Sequence, residues 1–510
     1  MKKRLITFLC LALVLLPAFR GAPAAAASND AADFPACYDL RELGLVTEVK
    51  DQGLYGTCWA FCVANAMESN ALVQGYGEYD LSEYQIAYLF SHIFPEEGSL
   101  ADGEGTACIG DAWHDGIYGA IVSSSLMRGY AIQSEEAYPY SNMEESLPPE
   151  GASMDGALYI DSCYTVPVTD TEAVKTLLMT NGALYTNVCS TCWQDPAYFN
   201  PETGAAYLPT YFGKYSTISH FVSIVGWDDN YSKDNFGTTP PGDGAWIIKN
   251  SWGTDYGDNG YLYLSYYDAA INYRNCATSV TVTNQRSYDR IYQYDGGAGL
   301  QPVGRVTGVA MNFTAAENES ITAVRIKPIG NISYSSFFCS DWAFDRTVAK
   351  ISVYKGTFDE KTVDADPIYE QEYEIVYPDY QTVAFDTEVP LKKGSHYYIK
   401  ISFDRPVYYA VDQPDQKMFY SYQNVVRANP GETYVAVETN GGAGTWQDTV
   451  TVLGGNRPGS ACIKVLTKDR ENDRGQTRFW IWIVLAGALL VYILLRSKTH
   501  GIIHTGMDDR

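Results

Sequence analysis

The chain has 510 residues, 46% of them hydrophobic and 19% charged, which is too long for one ordinary core and predicts two or three folded domains. A formal net charge of -25 argues against a phosphate-binding surface and so against nucleic acid as a partner. Forty-one tyrosines beside 44 glycines lean toward a β-rich chain or one built for polar, extracellular contacts.

The first element in the chain is an export signal. Lys2, Lys3 and Arg4 precede the apolar run LITFLCLALVLLPA and the small-residue stretch APAAAAS, the three parts of a signal peptide, with cleavage expected near Ala27. Residues 28–286 mix helix-like and strand-like pieces. Within them, Thr57 is a suitable N-cap, and CWAFCVANAMESN behind it has the apolar spacing of a helix, which puts Cys58 in a first helical turn. From residue 287 to 467 the pattern changes. ITAVRIKPI, VAKISVYKG, SHYYIKISF, ETYVAVET and SACIKVLT alternate apolar and polar residues between Gly, Pro, Asn and Asp, as the strands of an antiparallel sandwich do. Residues 468–478, KDRENDRGQTR, form a charged linker. Residues 479–495, FWIWIVLAGALLVYILL, are 17 residues without a charge. As a helix they span roughly 25 Å, near the short limit for crossing a bilayer. Arg478 and Arg496 bracket this run, and Arg496 and Lys498 follow the positive-inside bias for a cytoplasmic tail over residues 496–510.

Removal of Cys10 with the signal leaves ten of the 11 cysteines, in a compartment where disulfides form. Cys339 and Cys462 are the two in the β-rich region and are candidates to pair. Cys189 and Cys192, in CSTC, read as a redox pair or half of a metal site. With no second such pair, the balance favours a structural or simply reduced pair.

The chemistry concentrates around Cys58. At a helix N-terminus the macrodipole and free backbone N–H groups favour an anion, and a thiolate is the nucleophilic form of cysteine. Gln52 lies six residues earlier, across a loop with Gly53 and Gly56, where its amide is placed to donate to an oxyanion. His220 opens the strand-like run SHFVSIVGWDDNY, and Asn250 ends an apolar strand in front of Ser-Trp-Gly. A thiol needs a base for its proton, and the base needs a third group to fix its tautomer; Cys58, His220 and Asn250 supply all three. Asp228 and Asp229 read as a solvated turn rather than a calcium loop.

QGLYGTCWAF, SHFVSIVGWDD and KNSWGTDYGDNGY resemble the three signature blocks of the papain family of cysteine peptidases, over residues 33–268, and EEAYPY at 135–140 resembles a segment between them. The resemblance implies Cys58 as nucleophile, His220 as general base and then acid, Asn250 as the group that orients His220, Gln52 as oxyanion donor, and Trp252 as a cover over the His–Asn hydrogen bond. It requires no metal or cofactor. The chain departs from the family pattern at Tyr55, where many members have a cysteine, at Thr57 and at Ser219. Cys58 and His220 also lie further apart than the roughly 130–150 residues of the family signature, which implies insertions around residues 192–207, and residues 227–246 likewise lengthen the gap to Asn250. Only thirty residues separate Ala27 from Cys58, too few for the inhibitory prosegment usual in the family, so the expectation is a constitutive enzyme on which the β-rich domain is no latch. That domain resembles, more loosely, lectin-like domains behind papain-like modules in bacterial surface proteins. Trp342 and Trp446 are candidates to stack on a sugar, though sandwich core is the expected role for such side chains.

The expected fold is therefore α+β: a papain-like two-lobed catalytic domain, with a helical lobe and a β-barrel-like lobe, then an antiparallel β-sandwich and a C-terminal transmembrane helix. The expected function is an extracellular, membrane-anchored cysteine endopeptidase acting on protein or peptide, with a glycan as ligand of the β domain. It sits on the outer face of the cell membrane as a single-pass protein with a cytoplasmic C-terminus. The rivals are a surface adhesin or glycan binder with an incidental peptidase fold, and a hydrolase of cell-wall peptide cross-links.

Overall fold

The computed structural model describes residues 34–92, 105–108, 110–111, 113–114, 116, 125–143, 155–211, 213, 215, 218–273, 275–297, 301–330, 344–362, 365–412, 417–418, 422–426, 428–439, 442–452 and 459–470. The expected signal peptide, charged linker, apolar run 479–495 and tail lie outside them. Among the described residues no helix is long and apolar enough to cross a membrane. By its contacts the chain divides after Pro35, and both the helical and the β-rich portions belong to the unit that begins at Ala36.

The N-terminal half is built on helix α1, Cys58–Val73, which is buried from Cys58 through Ala71. A helix enclosed on all sides must have its polar side chains answered. Ser69 Oγ donates to Leu45 O at 2.7 Å and accepts from Ala183 N at 2.9 Å. Asn70 Nδ2 donates to Asn181 O at 2.9 Å, and its Oδ1 accepts from Val282 N at 2.8 Å. Glu68 Oε1 accepts from Leu81 N at 2.8 Å. Helices α2, Glu83–Ser91, and α3, Thr171–Asn181, are each opened by a side-chain cap, from Ser82 and Asp170 respectively. Gly182 ends α3 at φ 89, where any Cβ would lie 2.5 Å from Ser69 Oγ, so only glycine fits.

The sheet beside α1 contains strands β1 (Cys37–Asp39), β3 (Ala131–Ile132), β4 (Leu158–Pro167), β5 (Leu184–Val188), β6 (Phe199–Asn200), β7 (Ala205–Ala206), β8 (His220–Asp228), β9 (Ala245–Lys249), β10 (Tyr261–Ser265) and β11 (Cys276–Thr283), while β2 (Gly105–Cys108) lies apart. Their order is β3-β4-β11-β5-β8-β9-β10-β7-β6, with β1 on β8. Among the described residues no pairing joins the two ends of this path, so the expected barrel-like lobe is an open sheet. It is antiparallel except for β7 on β10. The register that matters sets Val188 opposite His220 and Ser223 opposite Lys249, which brings the start of β8 beside the end of β9. The residues expected as insertions form β6, β7 and short 3-10 turns at the edge of this sheet. Asp229, just after β8, binds Lys175 Nζ at 2.7 Å and Tyr266 OH at 2.6 Å, and Asp228 at the strand end accepts from Asn230 N at 2.8 Å, so the turn is tethered.

In the C-terminal half, a four-stranded sheet (Arg290–Gln293, Ile463–Asp469, Glu319–Ile326, Gln381–Pro390) faces an eight-stranded one centred on Gln301–Thr314 and His396–Asp412. Ile321, Val324 and Val465 of the first pack with Met311, Ile351 and Ile399 of the second, which is the sandwich that the alternation implies. Trp446 is half-buried and lies against Phe358, ring centroids 4.8 Å apart, beside a small aromatic cluster with Tyr398 and Tyr434 that is separate from the sandwich core. Trp342 lies outside the described residues. Cys462 is a buried free thiol, which overturns its expected pairing with Cys339, itself outside the described residues.

The two halves share a core. Tyr380, Ala410 and Cys462 belong to the same apolar cluster as Trp59 and Met67 of α1. Cys163 N donates to Tyr380 O at 2.7 Å and Thr165 N to Pro378 O at 3.1 Å. Arg325 reaches across with Nη1 to Met127 O at 2.6 Å and Nη2 to Ile160 O at 3.3 Å. Backbone pairing of β2 with Tyr422–Val425 adds a further link.

Candidate active site

Cys58 opens α1 and is 7% exposed. Thr57 occupies the N-cap position, but its hydroxyl makes no cap hydrogen bond; it meets Tyr140 OH at 2.6 Å, and that hydroxyl donates to Gln52 O at 2.9 Å. The expected cap is thus diverted into a brace that holds the Gln52 loop against the helix start. Gly56 N donates to Trp113 O at 2.6 Å, and a Cβ at Gly56 would lie 2.7 Å from His114 O, so the loop fits only with glycine there.

The sulfur of Cys58 accepts from Phe221 N at 3.4 Å, which sets it against the residue after His220. His220 is 4% exposed, and its Nε2 is 2.7 Å from Asn250 Oδ1. Ser251 N also donates to Asn250 Oδ1, at 2.9 Å. A backbone N–H on that atom fixes it as the oxygen, so His220 Nε2 carries the proton and Nδ1 is left as the basic nitrogen. Trp252 stacks on the imidazole with centroids 4.5 Å apart, and Trp193 meets it edge-on at 6.2 Å. Gln52 N donates to Ser251 O at 2.9 Å and Ser251 Oγ to Gln52 Oε1 at 2.6 Å, tying the loop before α1 to the loop after β9. Gln52 Nε2 donates to Tyr55 O at 2.7 Å and keeps a second N–H. The structure therefore brings Cys58, His220, Asn250 and Gln52 into one cluster around the junction of α1, β8 and β9.

Four supporting residues were given no role by the sequence, although Tyr140, Lys249 and Ser251 lie in its quoted motifs: Tyr140, Ser251, Trp193 and Lys249. The last is buried one position before Asn250, with Nζ on Asn65 Oδ1 at 2.7 Å and Thr47 O at 2.9 Å. Each is distant in sequence from its partner, so only the folded register pairs them. His92 and His114 serve locally, on Tyr88 and Asp111.

Burial dominates the electrostatics. It pushes the Cys58 thiol up to about 11, against backbone N–H groups of Phe221, Trp59 and Cys58 that favour the thiolate. Burial likewise holds His220 at about 4, opposed by the Asn250 hydrogen bond. Burial thus works against the charged form of each group taken singly, opposing the thiolate that helix position favours. Such a pair can pass one proton from sulfur to nitrogen when an electrophile arrives.

A stability effect follows. An unfolded histidine takes up its proton near 6.5, and folded His220 only at about 4. Between those values the unfolded state binds more protons, so stability falls as pH drops from 6.5 to 4, by about 3 kcal/mol in all. Denaturant melts of wild type and His220→Gln between pH 7 and pH 4 check this, and the variant is expected to lose the slope that His220 contributes.

A thiol on a helix N-terminus, docked against an imidazole and a carboxamide on an antiparallel sheet, defines a cysteine hydrolase. Comparison with known proteins places it further: the chain carries a papain family cysteine protease domain in residues 34–283 and a lectin-like domain in residues 291–467. It is 26% identical over 243 residues to a cathepsin L-like peptidase of Aedes aegypti, covering 46% of this chain and 59% of that protein. It is 26% identical over 259 residues to cathepsin S of Bos taurus, covering 50% and 65%. The chain thus spans less than two thirds of the length of these relatives. A clostridial cysteine protease, Cwp84 after propeptide cleavage, shares its fold across 85% of this chain and 99% of that one, with TM-score 0.65 and 24% identity. The cysteine protease and lectin-like domains of Cwp84, a surface layer associated protein of Clostridium difficile, superpose with TM-score 0.65 and 22% identity over 86% and 90%.

Proposed function

We propose that this protein is an extracellular cysteine endopeptidase in which Cys58 attacks a peptide carbonyl. His220 Nδ1 takes the thiol proton and returns it to the leaving amine. Asn250 holds the imidazole in its tautomer, and Gln52, with the Cys58 N–H, receives the oxyanion. Water then releases the acyl-enzyme. The observation that carries this reading is the His220 Nε2–Asn250 Oδ1 hydrogen bond of 2.7 Å beside a sulfur seated on Phe221 N.

The domain limits proposed are a signal peptide over residues 1–27, the peptidase over 28–286, the lectin-like sandwich over 287–467 and a membrane anchor over 479–495. The apolar run and its flanking arginines support the anchor, and the lectin-like domain supports a glycan as second ligand. Full-length protein incubated with an unfolded protein and, separately, with purified peptidoglycan tests the activity. New N-termini within the unfolded protein are expected. Cleavage confined to peptidoglycan would replace this reading with a cell-wall hydrolase, and glycan binding without any cleavage would replace it with an adhesin.

A further inference from the structure

The motif that the proposed chemistry leaves unused is Cys-Ser-Thr-Cys at residues 189–192. Both of its cysteines are buried free thiols. They bracket the start of a 3-10 turn, Ser190–Gln194, that leaves β5 directly. Cys192 Sγ donates to Cys189 O at 2.9 Å, which holds it beside Cys189, whose own sulfur meets Thr191 Oγ1 at 3.4 Å. Thr191, between them, is exposed, so the turn that covers the pair reaches solvent. The neighbouring Cys192 draws the Cys189 thiol down to about 6, and Cys189 together with burial drives that of Cys192 up. One attacking and one resolving thiol is the division of labour that disulfide exchange requires.

This turn is joined to the active site on both sides. Val188, just before Cys189, pairs with His220 in the β5–β8 ladder. Ser190 contacts Ser219 Oγ through N and through Oγ, each at 3.1 Å. Trp193, just after Cys192, lies edge-on to His220 at 6.2 Å and to Trp252 at 5.7 Å. Bridging the sulfurs requires Cys192 Sγ to leave Cys189 O and turn toward Cys189 Sγ, which twists the segment that carries Trp193.

We propose that Cys189 and Cys192 form a redox-active dithiol that exchanges with an external low-molecular-weight disulfide and, once bridged, displaces Trp193 against His220 and lowers turnover. The Cys189 thiolate attacks one sulfur of the external disulfide, forming a mixed disulfide and releasing one thiolate. Cys192 gives up its proton and attacks Cys189 Sγ, which expels the second thiolate. The two protein thiols are oxidised, the external disulfide is reduced to two thiols, and the two protons end on those thiols.

The redox step stands independently of the proposed peptidase activity; only its consequence for turnover rests on that reading, and the test separates them. Full-length Cys58→Ala, which needs no activity, is equilibrated with glutathione disulfide, alkylated and mapped by mass spectrometry. The expected result is a peptide holding Cys189 and Cys192 that has lost two hydrogens and resists alkylation. A pair that stays alkylatable, or that carries only glutathione adducts, overturns the exchange. The second readout compares wild type with Cys189→Ala/Cys192→Ala after the same treatment, because Cys58 itself also forms a glutathione adduct. A monothiol clears that adduct in both proteins. The double variant is then expected to regain its full activity, and wild type to stay several-fold below its reduced level until a dithiol reductant is added. Equal recovery on the monothiol overturns the coupling to His220. Cys192→Ser, which keeps a donor for Cys189 O, replaces the double variant if that one misfolds.

Discussion

Replacing Cys58 by alanine is expected to lower kcat/KM for a peptide substrate by about 10⁴-fold or more. His220→Ala is expected to cost a similar factor, and the double variant little beyond either, because groups that act as one unit are not additive. The geometry gives the reason. The sulfur of Cys58 sits on Phe221 N, so the adjacent imidazole is the base within the same buried cluster. Other buried bases are committed elsewhere, as Lys249 is to Asn65 and Thr47. Asn250→Ala is expected to do less harm, since Trp252 still stacks on the ring. Single-turnover and steady-state assays on the four variants check the order; a Cys58→Ala chain with a tenth of wild-type activity would be incompatible with it.

The second large effect falls on stability. Lys464 Nζ lies 2.6 Å from both carboxylate oxygens of Asp295, and neither side chain has any exposed surface. Tyr380 OH donates to the same carboxylate at 3.0 Å, and Arg128 of the peptidase half binds Asp295 O. Asp295→Ala strands a buried ammonium and is expected to destabilise the whole unit by about 3–5 kcal/mol. Because the pair lies at the junction of the halves, the loss should appear as one cooperative transition shifted down, with peptidase activity lost alongside. Thermal melts monitored by circular dichroism and by residual activity check this; two separate transitions would show that the halves fold independently. By the same logic, a chain ended at residue 286 loses Tyr380, Ala410 and Cys462 from the core it shares with α1. It is expected to unfold rather than to become more active.

What the sequence disclosed and what it withheld divide along physical lines. Local chemistry was legible. The residues that surround Cys58, His220 and Asn250 form short continuous motifs, and their spacing on a helix start and two strand ends is what the fold uses. The alternation in residues 287–467 likewise reported a two-faced sheet. Alternation gives the face of a residue and not its partner, however. Lys464, in SACIKVLT, occupies a polar position of the pattern and reads as solvent-facing, yet it is sealed against Asp295, which itself sits in a Gly-rich turn segment. Arg325 in ITAVRIKPI is the same case, with its partners at Met127 and Ile160. Thr57 was read by its cap propensity, and a tertiary hydroxyl partner, Tyr140, prevailed over it. The pull on the Cys58 charge was read from helix position alone, and burial, which no local window displays, works against it.

The most direct test of the central arrangement is the reaction of the intact protein with a peptide bearing an electrophilic epoxide, with the modified site mapped by mass spectrometry. Modification of Cys58 alone, slowed by orders of magnitude in His220→Ala, is the expected result. Equal labelling in His220→Ala, or preferential labelling of another free thiol such as exposed Cys37, would contradict it.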